Sequence, residues 1–100
     1  MEISIPFLSQ FEAVMLSGSK TQTSRVARYG KEGDIFTAFG STFRLTEVVK
    51  GMLWGVSKYD YQAEGFDSRD AFLHKWAKLH PRKGFLDPNQ IVWVHRYKKL

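Results

Sequence analysis

Hydrophobic residues recur at helical steps near the start of the chain. Phe7, Leu8, Phe11, Val14 and Met15 fall on one helical face. Ser9 and Glu12 fit a capping box, and Gly18 fits a C-terminal stop, so a short amphipathic helix is predicted over Ser9 to Ser17. The threonine-rich KTQTSRV that follows suits a strand. YGKEGD then gives a turn, and IFTAF and TFRLTEVV give two strands joined at Gly40 and Ser41. In the second of these strands Phe43, Leu45 and Glu47 share one face, and Thr42, Arg44, Thr46 and Val48 the other. Gly51 and Gly55 bracket MLWG and suggest a bulge or turn. A second helix is predicted over Ser68 to His80. Asp67 is its N-cap, Asp70 sits in its first turn, Phe72, Leu73, Trp76 and Leu79 form its apolar stripe, and Pro81 ends it. PRKGFLDPNQ reads as a loop, and IVWVHRY closes the chain as a strand. Ile91, Trp93, His95 and Tyr97 lie on one face of that strand, with Val92, Val94 and Arg96 on the other.

Several strands between two helices in 100 residues point to one α+β domain spanning 1–100, built on a curved antiparallel sheet or small barrel. The expected core is Phe11, Met15, Phe43, Leu45, Phe72, Trp76, Ile91 and Trp93. A hydrophobic content of 43% is ample for such a core. No apolar run approaches the ~18 residues of a membrane span. MEISIPFLSQFE carries acid where a signal peptide carries base, and cysteine is absent, so a soluble, cytoplasmic protein is expected.

The net charge of +5 is unevenly spread. From Arg69 onward there are eight Lys or Arg against two Asp or Glu, and the rest of the chain carries seven against eight. A basic C-terminal third can form a rim for nucleic acid, or simply a solvated helix and tail. The spacing of His74, His80 and His95 matches no zinc motif, so neither metal nor cofactor is expected. No phosphate-binding loop, dinucleotide fingerprint or nucleophile elbow is present.

What remains is Gly18-Ser19-Lys20-Thr21-Gln22-Thr23-Ser24-Arg25, which places cations and hydroxyls where a helix stops. Threonines suit any strand, and cations suit any edge. The octapeptide also resembles the G-x-K-x-x-E-x-R signature of the ASCH domain family, related to PUA domains. The preceding helix, the Gly33-Asp34 turn, Ala63-Glu64-Gly65-Phe66 leading into a helix with Trp76, and the closing IVWVHRY extend the resemblance over nearly the whole chain. The resemblance implies a PUA-like antiparallel β-barrel with two flanking helices and a cleft between them. The acidic signature position is Thr23 here. That makes the segment similar to a branch of small ASCH proteins that hydrolyse the N4-acetyl amide of acetylcytidine. By position the branch implies Lys20, Thr23 and Glu64 as catalytic residues, with Arg25 and Thr21 at the substrate.

Two readings stand at this point. One is an amidohydrolase acting on a modified nucleoside. The other is a non-catalytic RNA- or nucleotide-binding module, or a ribonuclease variant of it. Its contacts would be Lys20, Arg25, Arg82, Lys83, Arg96, Lys98 and Lys99, with Tyr59, Tyr61 or Tyr97 as stacking partners. For the first, cation, hydroxyl and carboxylate make a sufficient set for amide hydrolysis. Burial and Arg25 would lower the Lys20 pKa and Glu64 would raise it, which leaves its role as base or oxyanion donor open.

Overall fold

A computed structural model describes residues 1–81, 87 and 89–100. A 3-10 turn at Ser9–Phe11 runs into helix α1 (Glu12–Ser17). Strands β1 (Gln22–Arg25), β2 (Ile35–Ala38) and β3 (Ser41–Met52) follow, then helices α2 (Leu53–Tyr59) and α3 (Arg69–Leu79), and strand β4 (Ile91–Lys99). The four strands form one antiparallel sheet in the order β1-β4-β3-β2, curled into a half-barrel.

Gly18 ends α1 in the left-handed region, as the sequence predicts. The capping box does not form: no side chain caps either the 3-10 turn or α1. The hairpin turn between β2 and β3 is Phe39-Gly40, one residue earlier than expected. Both residues have positive φ, 52° and 78°, the sign a two-residue type I′ turn requires. Ser68, not Asp67, caps α3, accepting a hydrogen bond from the Ala71 amide at 3.0 Å.

Three differences reshape the core. MLWG is not a bulge within a strand, because Leu53 and Trp54 open helix α2. α2 and α3 together cover one face of β4, so Leu53, Val56, Phe72, Trp76, Val92 and Val94 make one apolar cluster. Val92 and Val94 are therefore core. Ile91, expected there, is 47% exposed, and Trp93 is half-buried. A bulge at Thr46 reverses the faces of β3, so Val48 packs inward and Glu47 is exposed. Ile5, Phe11, Met15, Phe36, Phe43, Leu45 and Tyr97 form a second cluster. It lies on the other sheet face, under α1 and the N-terminal segment. Both faces of β4 are thus buried, at opposite ends of the strand. Leu79, at the end of the α3 stripe, is exposed.

Candidate functional site

The site grows from the free edge of β1. The Gly18 turn leaves the Lys20 amide bonded to the Val14 carbonyl at 2.9 Å, which fixes Lys20 against α1. Its side chain runs inward, 3% exposed, with Nζ 4.6 Å from the centre of the Phe11 ring. Gly65 makes room for it. Gly65 has a φ of 95°, and a Cβ there would stand 3.0 Å from Lys20 Cδ. The loop between α2 and α3 folds back on itself, its Glu64 amide bonded to Asp60 O and its Phe66 amide to Tyr61 O. Ala63 O accepts the amides of Thr21 and Gln22, which seats Glu64 against the strand edge.

In β1, the main-chain groups of Gln22 and Ser24 point away from β4 and need partners. Lys20 Nζ donates to Gln22 O at 2.8 Å and to Glu64 O at 2.5 Å. The Glu64 carboxylate accepts three hydrogen bonds, from Ser24 N at 3.2 Å, Ser24 Oγ at 2.6 Å and Gln22 Nε2 at 2.7 Å. Gln22 Oε1 in turn accepts from Arg96 Nε at 3.3 Å. Arg96 also pairs with Glu47 and Asp60. Thr23 Oγ1 accepts from Arg25 Nε at 2.9 Å, which leaves the Thr23 hydroxyl proton free to be donated elsewhere. Arg25 Nη2 donates to Pro6 O at 2.6 Å, and the guanidinium lies 5.1 Å from the Phe7 ring and 5.5 Å from the Tyr29 ring.

A cavity of about 350 Å³ opens beside this edge. Lys20, Thr23, Ser24, Arg25 and Glu64 line it, with Phe7, Phe11, Tyr29, Phe66, Phe72 and Trp76 as aromatic walls. Lys75 and His80 also reach it, and the His80 ring stacks on Trp76 at 4.2 Å. Burial lowers the Lys20 pKa to about 8, with the Arg25 charge adding to that effect and the Glu64 charge opposing it. Burial likewise lowers His95. His95 Nε2 accepts the Tyr29 amide at 3.0 Å, so that ring nitrogen carries no proton and Nδ1 is the nitrogen that donates to Thr23 O.

Lys20, Thr23, Arg25 and Glu64 therefore share one cavity. Thr23 is not hydrogen-bonded to Lys20 or Glu64, and the hydroxyl in contact with the carboxylate belongs to Ser24. Ser24 and Gln22 were not singled out by the sequence. They stand on the opposite strand face from Thr23, but the cavity lies at the strand edge and both Thr23 and Ser24 reach it. Thr21 is exposed and does not line the cavity. Of the described cations from Arg69 onward, Lys75 alone lines it, so no basic C-terminal rim surrounds it among the described residues. Arg96 is committed to two carboxylates, and Lys98 is exposed on β4 away from the cavity. Arg82 and Lys83 lie outside the described residues. Of the tyrosines, Tyr97 is buried in the core, Tyr59 is exposed and Tyr61 packs against the cluster that α2 and α3 form over Val92 and Val94. Among the described residues no His, Cys, Asp and Glu cluster could hold a metal ion, and no helix is long and apolar enough to cross a membrane.

No protein-family model matches the chain, and no curated protein does. Solved structures do. An ASCH domain from Lactobacillus crispatus JV V101 superposes with a TM-score of 0.71 at 12% identity, over 98% of this chain and 78% of its own. The hypothetical protein PH0355 gives 0.75 at 12% identity, over 100% of both chains. A DUF984 protein from Enterococcus faecalis V583 gives 0.65 at 21% identity, over 91% of this chain and 70% of its own. The half-barrel, its three helices and these superpositions together give the chain the α+β, PUA-like fold of an ASCH domain.

Proposed function

We propose that the cavity binds an N4-acylated cytidine or a related modified nucleoside and hydrolyses its exocyclic amide. The observation that carries this reading is Lys20: a buried amine with its pKa lowered to about 8, in an aromatic-walled cavity that is also lined by a threonine hydroxyl with a proton to give. A lysine tuned to that range serves as a general base near neutral pH. The aromatic walls suit a planar base.

In the proposed reaction neutral Lys20 takes the Thr23 hydroxyl proton as Thr23 Oγ1 bonds to the acyl carbon. The proton passes to the exocyclic nitrogen as the C–N bond breaks and the free nucleoside leaves. Lys20 then takes a proton from water as the water oxygen bonds to the acyl carbon, and gives it to Thr23 Oγ1 as the ester C–O bond breaks, which releases the carboxylic acid and restores both residues. Arg25, bonded to Thr23 Oγ1, stabilises negative charge on that oxygen. Glu64 holds the β1 edge in register and adds a negative potential beside Lys20.

The test is incubation of the protein with N4-acetylcytidine, followed by chromatography for cytidine. Release by the wild type, and loss of most of it in Lys20→Ala, Thr23→Ala and Glu64→Ala with the fold intact, is expected. Absence of cytidine from the wild type would overturn the proposal. The hydrogen bonds already made by Lys20 and Glu64 favour a second reading, a non-catalytic nucleotide- or RNA-binding pocket whose charged residues brace the sheet edge. Retained ligand binding without turnover would select it.

A further inference from the structure

Outside the cavity, one sheet face carries an uncovered mixture of aromatic and cationic side chains. Residues directly opposite one another on neighbouring strands share a face. Arg25 on β1, Trp93 on β4 and Lys50 on β3 are in register and form such a row. The row toward the core, Thr23-His95-Val48, is closed over by Tyr29, whose ring lies 6.0 Å from His95. The row on the other side, Ile91-Met52, is open, with the two residues 47% and 45% exposed. Trp93 is half-buried, with two cations close to its ring. Arg28 Cζ and Lys50 Nζ each lie 5.2 Å from its ring centre. Arg28 is steadied by a hydrogen bond from Nε to Gly30 O, and neither cation is in an ion pair among the described residues.

This patch adjoins the cavity. Arg25, Val26, Ala27 and Tyr29 line the cavity, and Arg28 in the same segment turns to Trp93. A chain crossing that segment has a ring to stack on, two cations for its phosphates and an adjacent cavity with aromatic walls. A folded acidic protein would satisfy the cations but does not alternate a flat group with a charge at every link of its chain. A single nucleic-acid strand satisfies both, because every base has a face to stack and every link carries a charge.

We propose that the sheet face formed by Trp93, Arg28 and Lys50 binds single-stranded nucleic acid, with a base stacked on Trp93 and phosphates held by the two cations. The surface does not depend on turnover in the cavity. The probe is a short fluorescein-labelled oligouridylate, titrated by anisotropy at two salt concentrations. Trp93→Ala is expected to weaken binding about tenfold, while Trp93→Phe, which keeps a stacking ring, retains most of it. Arg28→Gln with Lys50→Gln is expected to flatten the dependence of log K on log salt by about 1.4, the value for two phosphate contacts to a single strand. Thr23→Ala, which would abolish turnover, is expected to leave this binding unchanged, so the two readings fail separately. Circular dichroism melts confirm that each variant is folded. Binding by a folded Trp93→Ala at wild-type strength would overturn the proposal. So would duplex bound as tightly as single strand, absence of binding at low salt, or a dimer that Trp93→Ala converts to monomer.

Discussion

Lys20→Met isolates the charge that the cavity is built around. The change keeps the length of the stem and removes the amine. A lysine held at about 8 in the fold, against 10.5 when exposed, has its charged form disfavoured by about 3 kcal/mol. The folded pKa is the lower one, so between these values the unfolded chain binds more protons than the folded chain, and stability rises with pH through that window. Near pH 7 the wild type bears the full penalty. By about pH 9.5 it has recovered about 2 kcal/mol, and beyond the upper value the gain levels off. Lys20→Met has no such titration. It also leaves Gln22 O and Glu64 O without their donor, but that loss is independent of pH and drops out when the variant's profile is subtracted from the wild type's. The assay is urea unfolding of both proteins from near neutral to about pH 10. The difference in stability should turn in favour of the wild type by about 2 kcal/mol over the range. Parallel profiles would mean that the Glu64 charge offsets burial, leaving Lys20 charged at neutral pH and removing it as the proposed base. In the hydrolase reading the same titration governs turnover, and kcat/KM should rise to a plateau with an apparent pKa of about 8.

Ser24→Ala removes one of three donors to the Glu64 carboxylate and should destabilise the fold by about 1.5–3 kcal/mol in urea unfolding, while turnover falls less than in Thr23→Ala. Equal loss of turnover in the two variants, with Ser24→Ala folded, would refute the choice of Thr23 over Ser24 as the nucleophile. Trp76→Ala removes a ring packed against Phe72 and His80 and should lower stability by about 3–5 kcal/mol, read as a fall in Tm; an unchanged Tm would refute its place in the core.

Much of the fold was legible from spacing. The α1 stripe, its glycine stop, the strand runs and α3 lie close to where the pattern puts them. α2 was not, for a physical reason. LWGVSKY holds a glycine, a valine and a tryptophan in seven residues, so its intrinsic helix preference is poor. Burial of Leu53 and Val56 against Val92, Val94 and α3 stabilises it instead. The missing helix also explains the misread faces of β4. Alternation separates two faces without saying which is covered, and the cover over Val92 and Val94 is α2 and α3. In β3 the bulge at Thr46 adds one residue, which is enough to exchange Glu47 and Val48.

The candidate site was legible only in part, because alternation describes the faces of a strand and this cavity sits on an edge. Thr23 and Arg25 could be read as one face, but Ser24 could not be seen to share their cavity. The edge also explains why Lys20 is available as a base. A buried lysine and a buried glutamate close together ordinarily form a direct ion pair, and such a pair raises the lysine pKa. Here no Lys20–Glu64 ion pair is present among the described residues. The two groups are instead bonded to other partners. The amine is taken by carbonyl oxygens and the carboxylate by an amide, a hydroxyl and the Gln22 side chain. Each charged group is satisfied as a hydrogen-bonding partner, and neither is neutralised by the other at contact distance. Desolvation then outweighs the more distant attraction and brings Lys20 to about 8. Pairing the β1 edge with another strand would take those main-chain groups away and drive the lysine and glutamate together. The free edge is therefore what keeps a buried amine near neutrality inside the cavity.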